Sequence, residues 1–116
     1  MKKVVILSIH PPYGTAINAE AFRASLGLAF SDISVHLVLC QDGVFAALKN
    51  QDPRFIQMKS MEEVYKNISS MGINLYIDRR SMEERNIRED EIVNGKIIDE
   101  DELKKLIDSA DTVLTF

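Results

Sequence analysis

Apolar positions along the chain gather into short continuous runs, and the stretches between them carry apolar residues at helical spacing. Val4-Val5-Ile6-Leu7-Ser8-Ile9, the ISVHLVLC run from Ile33 to Cys40, and the INLYI run from Ile73 to Ile77 are rich in β-branched and aliphatic residues. Such runs predict strands buried on both faces, as in parallel sheets covered by helices. The first run stops at His10-Pro11-Pro12-Tyr13-Gly14, where two prolines remove backbone donors and a glycine supports a tight turn. A helix is expected from about Thr15 to Phe30, with Ala19, Phe22, Leu26, Ala29 and Phe30 on its buried stripe and Asn18 and Arg23 toward water. Its many small residues suit close approach to a sheet or a neighbouring subunit. Gly27 weakens a helix, so close approach is its expected reason.

After the second strand, Asp42-Gly43 is expected to open a shorter helix containing Val44, Phe45 and Leu48. Residues 50–59, with Asp52-Pro53, suit an irregular connection. Ser60 to Glu63 forms a capping box before the stripe Met61, Val64, Tyr65, Ile68 and Met71, and Gly72 is the natural left-handed stop. A second box, Ser81 to Glu84, opens a short helical segment. Asn94-Gly95 is either a hairpin turn or a loop feeding a short strand. A third box, Asp99 to Glu102, starts a helix that buries Leu103, Leu106, Ile107 and Ala110, and Thr112 to Phe116 is the closing strand. Strands alternating with helices predict a three-layer α/β/α sandwich around a mainly parallel sheet of about five strands.

The 116 residues fit a single domain, 1–116, of ordinary soluble composition, 46% hydrophobic and 28% charged. A net charge of −4 supplies no counterion-releasing surface, which argues against nucleic acid as a partner. One cysteine, Cys40, excludes an internal disulfide and a Cys-clustered zinc site, and two histidines with scattered carboxylates give no metal-ligand spacing. No cofactor-binding motif is present. The apolar run behind Lys2 and Lys3 is short for a secretion signal, and nothing approaches a membrane span, so a cytoplasmic location is expected.

Ligands of open parallel sheets bind outside the carboxyl ends of the strands, which here collect His10, Tyr13 and Gly14, then Cys40, Gln41 and Asp42, then Asp78, Arg79 and Arg80. Cys40 precedes a helix start, where a dipole would lower its pKa and make it a nucleophile with His10 as base; alternatively it is a small core hydrophobe. Arg79 and Arg80 suit an anion or a partner's carboxylate, or a solvated loop paired with Glu83 and Glu84. The PPYGTA turn matches neither the Walker nor the dinucleotide pattern. His36 alternates within the second strand as a structural residue.

Several stretches together resemble the DsrE/DsrF-like family: Lys3-Val4-Val5-Ile6-Leu7 with Pro12-Tyr13-Gly14, the Leu39 to Gln51 stretch LCQDGVFAALKNQ, and the Ser109 to Phe116 ending SADTVLTF. They run from one end of the chain to the other in the family's order and look especially close to the YchN-type members. The resemblance implies the three-layer sandwich, assembly into trimers or hexamers, and a link to intracellular sulfur metabolism. In related sulfur-relay complexes, one subunit accepts a persulfide sulfur on a cysteine after the third strand and hands it to a partner protein. That segment reads Leu75-Tyr76-Ile77-Asp78-Arg79-Arg80 here, without a cysteine. The chain therefore resembles the DsrF/TusC-type subunits, which lack the acceptor cysteine and act as structural partners. The alternatives are a relocated carrier at Cys40, assisted by His10 and Arg79 or Arg80, and a non-covalent anion-binding module at the strand ends.

Overall fold

The computed structural model describes residues 2–12, 16–49 and 63–116. Five strands form one sheet: β1 (Lys3–Ser8), β2 (Ser34–Leu39), β3 (Ile73–Asp78), β4 (Lys96–Ile98) and β5 (Thr112–Thr115). Their order is β4-β3-β2-β1-β5, and all four pairings are parallel. Three of these strands are the continuous apolar runs, and alternate residues of each serve the two faces.

On one face Val4, Ile6, Val35, Leu37, Leu39, Ile73, Leu75 and Ile77 meet α1 (Ile17–Phe30), Tyr65 and Ile68, and α2 (Arg79–Glu84) through Met82. On the other, Val5, Val38 and Ile98 meet Leu103, Leu106 and Ile107 of α3 (Glu100–Asp108). The result is the three-layer α/β sandwich with a parallel centre. The box at the start of α3 is formed as the sequence predicts: Asp99 Oδ1 accepts from the Glu102 amide at 2.8 Å, and Glu102 Oε1 accepts from the Asp99 amide at 3.2 Å. Gly72 ends a 3-10 turn (Ile68–Met71) at φ 81, a left-handed conformation that favours glycine.

Several local expectations are corrected. On α1, Phe22, Leu26 and Ala29 pack against the core as expected, but the most buried positions are Asn18, Ala21 and Ser25, and Phe30 is 79% exposed. Asn18 is inside because its polar atoms are used: Nδ2 donates to Ser8 Oγ at 3.3 Å and to the His10 carbonyl at 3.2 Å, and Oδ1 accepts from the Tyr65 hydroxyl at 3.3 Å. Ser25 likewise donates to the Ala21 carbonyl at 2.9 Å. Gly27 lies on the outer side of α1, with nothing within 4 Å of where a Cβ would stand, so close approach within the chain is not its reason.

Residues Gln41–Ala47 form a 3-10 segment rather than an α-helix, entered through Gln41 at φ 51. The box expected at Ser81–Glu84 shifts by one turn. Asp78 caps α2, accepting from the Ser81 amide at 3.2 Å. Asn94-Gly95 is a loop, because β4 pairs parallel to β3 and not as a hairpin. The Asn94 side chain anchors that loop by donating to the Tyr65 carbonyl at 3.2 Å. The irregular connection at 50–59, the box residue Ser60 and Met61 lie outside the described residues.

Candidate functional site

The carboxyl ends of β1, β2 and β3 come together as the topology requires, but the 3-10 segment after β2 folds tightly across them. Its Gly43 lies so close to β1 that a Cβ there would stand 1.9 Å from the Ser8 carbonyl oxygen and 2.8 Å from its carbon. The same oxygen accepts from the Cys40 amide at 3.1 Å. Cys40, at the entry to this segment, is 8% exposed. Its thiol is pushed up to about 11, chiefly by burial and next by the Asp78 charge, with Arg85 acting in the opposite direction. A thiol in this state is protonated at neutral pH and is a poor nucleophile.

Around it the polar residues satisfy one another. Asp78 is buried and accepts from Ser81 Oγ at 2.5 Å, and Ser81 Oγ in turn accepts from the Gln41 amide at 2.7 Å. This chain ties the end of β2 to the end of β3. The Gln41 side chain itself is on the surface, and Asp42 pairs with Arg85 Nε at 3.0 Å. Arg79 reaches Glu89 at 2.8 Å, not Glu83 or Glu84, and this hydrogen bond raises its pKa. Arg80 is exposed and forms no ion pair among the described residues. His10 is half-buried, and its Nδ1 is buried with no hydrogen-bond partner among the described residues. Tyr13 and Gly14 lie outside the described residues. Among the described residues, no group of three or more His, Cys, Asp or Glu is placed to hold a metal ion.

Two features fall away from the strand ends. On the α3 face, His36 bridges Ser34 Oγ at Nε2 and the Tyr76 hydroxyl at Nδ1, both at 2.9 Å, and stacks on the Tyr76 ring at 5.6 Å. Burial first, and the Lys3 charge second, lower its pKa. The alternation that marked His36 as part of the strand carried no signal for Tyr76, its partner 40 residues on. At the sheet's edge, all four residues of β5 are exposed, including Val113 and Leu114 at 39% and 38%. No described helix is long and apolar enough to cross a membrane.

A family model described as the DsrE/DsrF-like family matches residues 2–116. The intracellular sulfur oxidation protein DsrF of Allochromatium vinosum is 27% identical, over 100% of this chain and 97% of its own length. A TusC protein of Buchnera aphidicola is 30% identical over the whole of both chains. The crystal structure of the ychN protein from E. coli superposes with a TM-score of 0.81 at 28% identity, again over 100% of each chain. A protein of unknown function from Methanobacterium thermoautotrophicum shares the fold alone, with a TM-score of 0.66 at 8% identity.

Proposed function

Since the chain belongs to the DsrE/DsrF-like family over residues 2–116, we propose that it serves intracellular sulfur relay as a non-catalytic subunit of an oligomer, without carrying sulfur itself. The observation that carries this reading is the state of Cys40, a buried thiol pushed up to about 11 at the entry to the 3-10 segment. The third strand leads into Asp78, which caps α2, and Arg79, which pairs with Glu89, so that position offers no sulfur nucleophile. The likeness to proteins named for DsrF and TusC supports the same role.

Assembly into trimers or hexamers, with copies of itself or with a cysteine-bearing sulfur-relay partner, is supported by β5. Natural edge strands are guarded by charges, prolines or bulges. Thr112-Val113-Leu114-Thr115 has none of the first two and presents its apolar side chains to the surface.

The test is anaerobic intact-mass measurement after incubation with a persulfide donor, with Cys40→Ala as control. The expected result is no gain of sulfur in either protein. A gain lost in Cys40→Ala and transferable to an acceptor would overturn the reading and make Cys40 a relocated carrier. Sedimentation tests the assembly: an oligomer at micromolar concentration that Val113→Lys with Leu114→Lys dissociates is expected, and a wild-type monomer refutes it.

A further inference from the structure

A cavity of about 330 Å³ opens between the sheet and α3, lined from Lys3 at the start of β1 to Ile98 at the end of β4. Lys3 of β1, Lys96 of β4 and Lys105 of α3 line it, with Glu102 the single acidic side chain of its lining. Three lysines against one glutamate make it locally cationic on a chain whose net charge is −4. Glu102 offsets only Lys96, at 3.6 Å. Lys3 Nζ donates to Ser109 Oγ at 2.5 Å, the Asp111 carboxylate accepts from the Lys3 backbone amide at 2.8 Å, and neither the Lys3 nor the Lys105 ammonium forms an ion pair among the described residues. Ile98 and Leu106 supply an apolar wall.

Tyr76 also lines this cavity, and its hydroxyl is held by His36. The ring nitrogen toward Ser34 can accept the serine proton. The proton on Nδ1 is then donated to the tyrosine oxygen, and the phenolic hydrogen is free for a ligand. Burial and then the Lys3 charge lower the His36 pKa, which favours the neutral ring that this tautomer requires.

We propose that this cavity binds a tetrahedral oxyanion, held by Lys3, Lys105 and the Tyr76 hydroxyl. Two sources share that chemistry: the free inorganic ion, and the head of a small phosphate monoester whose carbon chain would lie on Ile98 and Leu106. Lysine ammonium groups and a tyrosine hydroxyl lining one cavity are the donors whose charge-assisted hydrogen bonds such an anion requires.

The test uses the full chain titrated with inorganic phosphate and with glycerol 3-phosphate at constant ionic strength, read by calorimetry and by ¹⁵N shifts of the His36 ring. Saturable binding is expected, together with movement of His36 toward the Nδ1-protonated tautomer. Lys3→Gln and Lys105→Gln should each weaken binding by about tenfold, the size of one lost charge-assisted hydrogen bond. Lys104→Gln, the same charge change on the neighbouring exposed residue, should leave it unchanged. Tighter binding of glycerol 3-phosphate assigns the monoester as the source, and equal binding assigns the free ion. Absence of saturation with both probes, or equal weakening by Lys104→Gln and Lys105→Gln, overturns the proposal.

Discussion

Replacing Gly43 with alanine tests the closure of the strand ends directly. A Cβ at this position would stand 1.9 Å from the Ser8 carbonyl oxygen. Carbon and oxygen in ordinary contact need about 3.3 Å, so the 3-10 segment must retreat by roughly 1.4 Å. The obstacle is backbone within a central strand of the sheet, flanked by β2 and β5, and cannot yield as a flexible side chain would. The movement stretches the Cys40 amide bond to Ser8, now 3.1 Å. A lost hydrogen bond of about 1 kcal/mol and overpacking of about 2 kcal/mol together destabilise the fold by about 3 kcal/mol. For a chain of this length, that lowers Tm by roughly 10 °C. Differential scanning calorimetry reads the loss, and alkylation of Cys40 under native conditions should accelerate as its cover lifts. Gly27→Ala is the control, because its Cβ meets nothing within 4 Å; it should hold or raise Tm through helix propensity. A Gly43→Ala protein that melts within about 2 °C of wild type, with Cys40 still slow to react, would refute the reasoning.

Two further outcomes follow from the same contacts. The unfolded chain releases the Cys40 proton near its ordinary value of 9, while the folded chain holds it to about 11. The unfolded state thus binds fewer protons in this window, and stability must fall as pH rises from 9 toward 11. Urea denaturation of wild type against Cys40→Ala should show that extra loss, at most about 3 kcal/mol, and parallel pH profiles would contradict it. Asp99→Ala removes the acceptor for the Glu102 amide and should cost about 1 kcal/mol, roughly 4 °C in Tm; an unchanged melt would show that α3 does not depend on its cap.

Strands β1, β2, β3 and β5, the parallel arrangement and the cap of α3 were legible in the sequence, because each is set by local pattern or by residues three apart, while β4 was legible only as one of two alternatives. The buried face of α1 was legible only in part: Phe22, Leu26 and Ala29 pack on the core as their spacing predicts, whereas Asn18 lies inside and Phe30 outside. Its Ala-rich pattern leaves several faces open, and Asn18 belongs inside only because Ser8, His10 and Tyr65 happen to meet it there. The strand ends show the same division. Topology brought Cys40, Gln41, Asp42, Asp78 and Arg79 to one edge, yet whether that edge is a cleft depended on Gly43 approaching Ser8, a contact between positions 35 apart that no local pattern records. The His36–Tyr76 pairing and the lysine-lined cavity depend on sheet register and on where α3 docks, and so became visible only in three dimensions.

The order β4-β3-β2-β1-β5 also has a kinetic meaning. Strands one to four add in sequence to one growing side, so each can dock soon after it is made. The opposite flank of β1 waits for β5, and the contact of the Lys3 amide with Asp111 spans 108 residues. During synthesis on a ribosome, a four-stranded precursor would expose the Val4-Val5-Ile6-Leu7 edge until β5 emerges. Loop closure over that span is slow compared with local pairing, and the waiting edge is where nascent chains of this protein would be caught by chaperones or by each other.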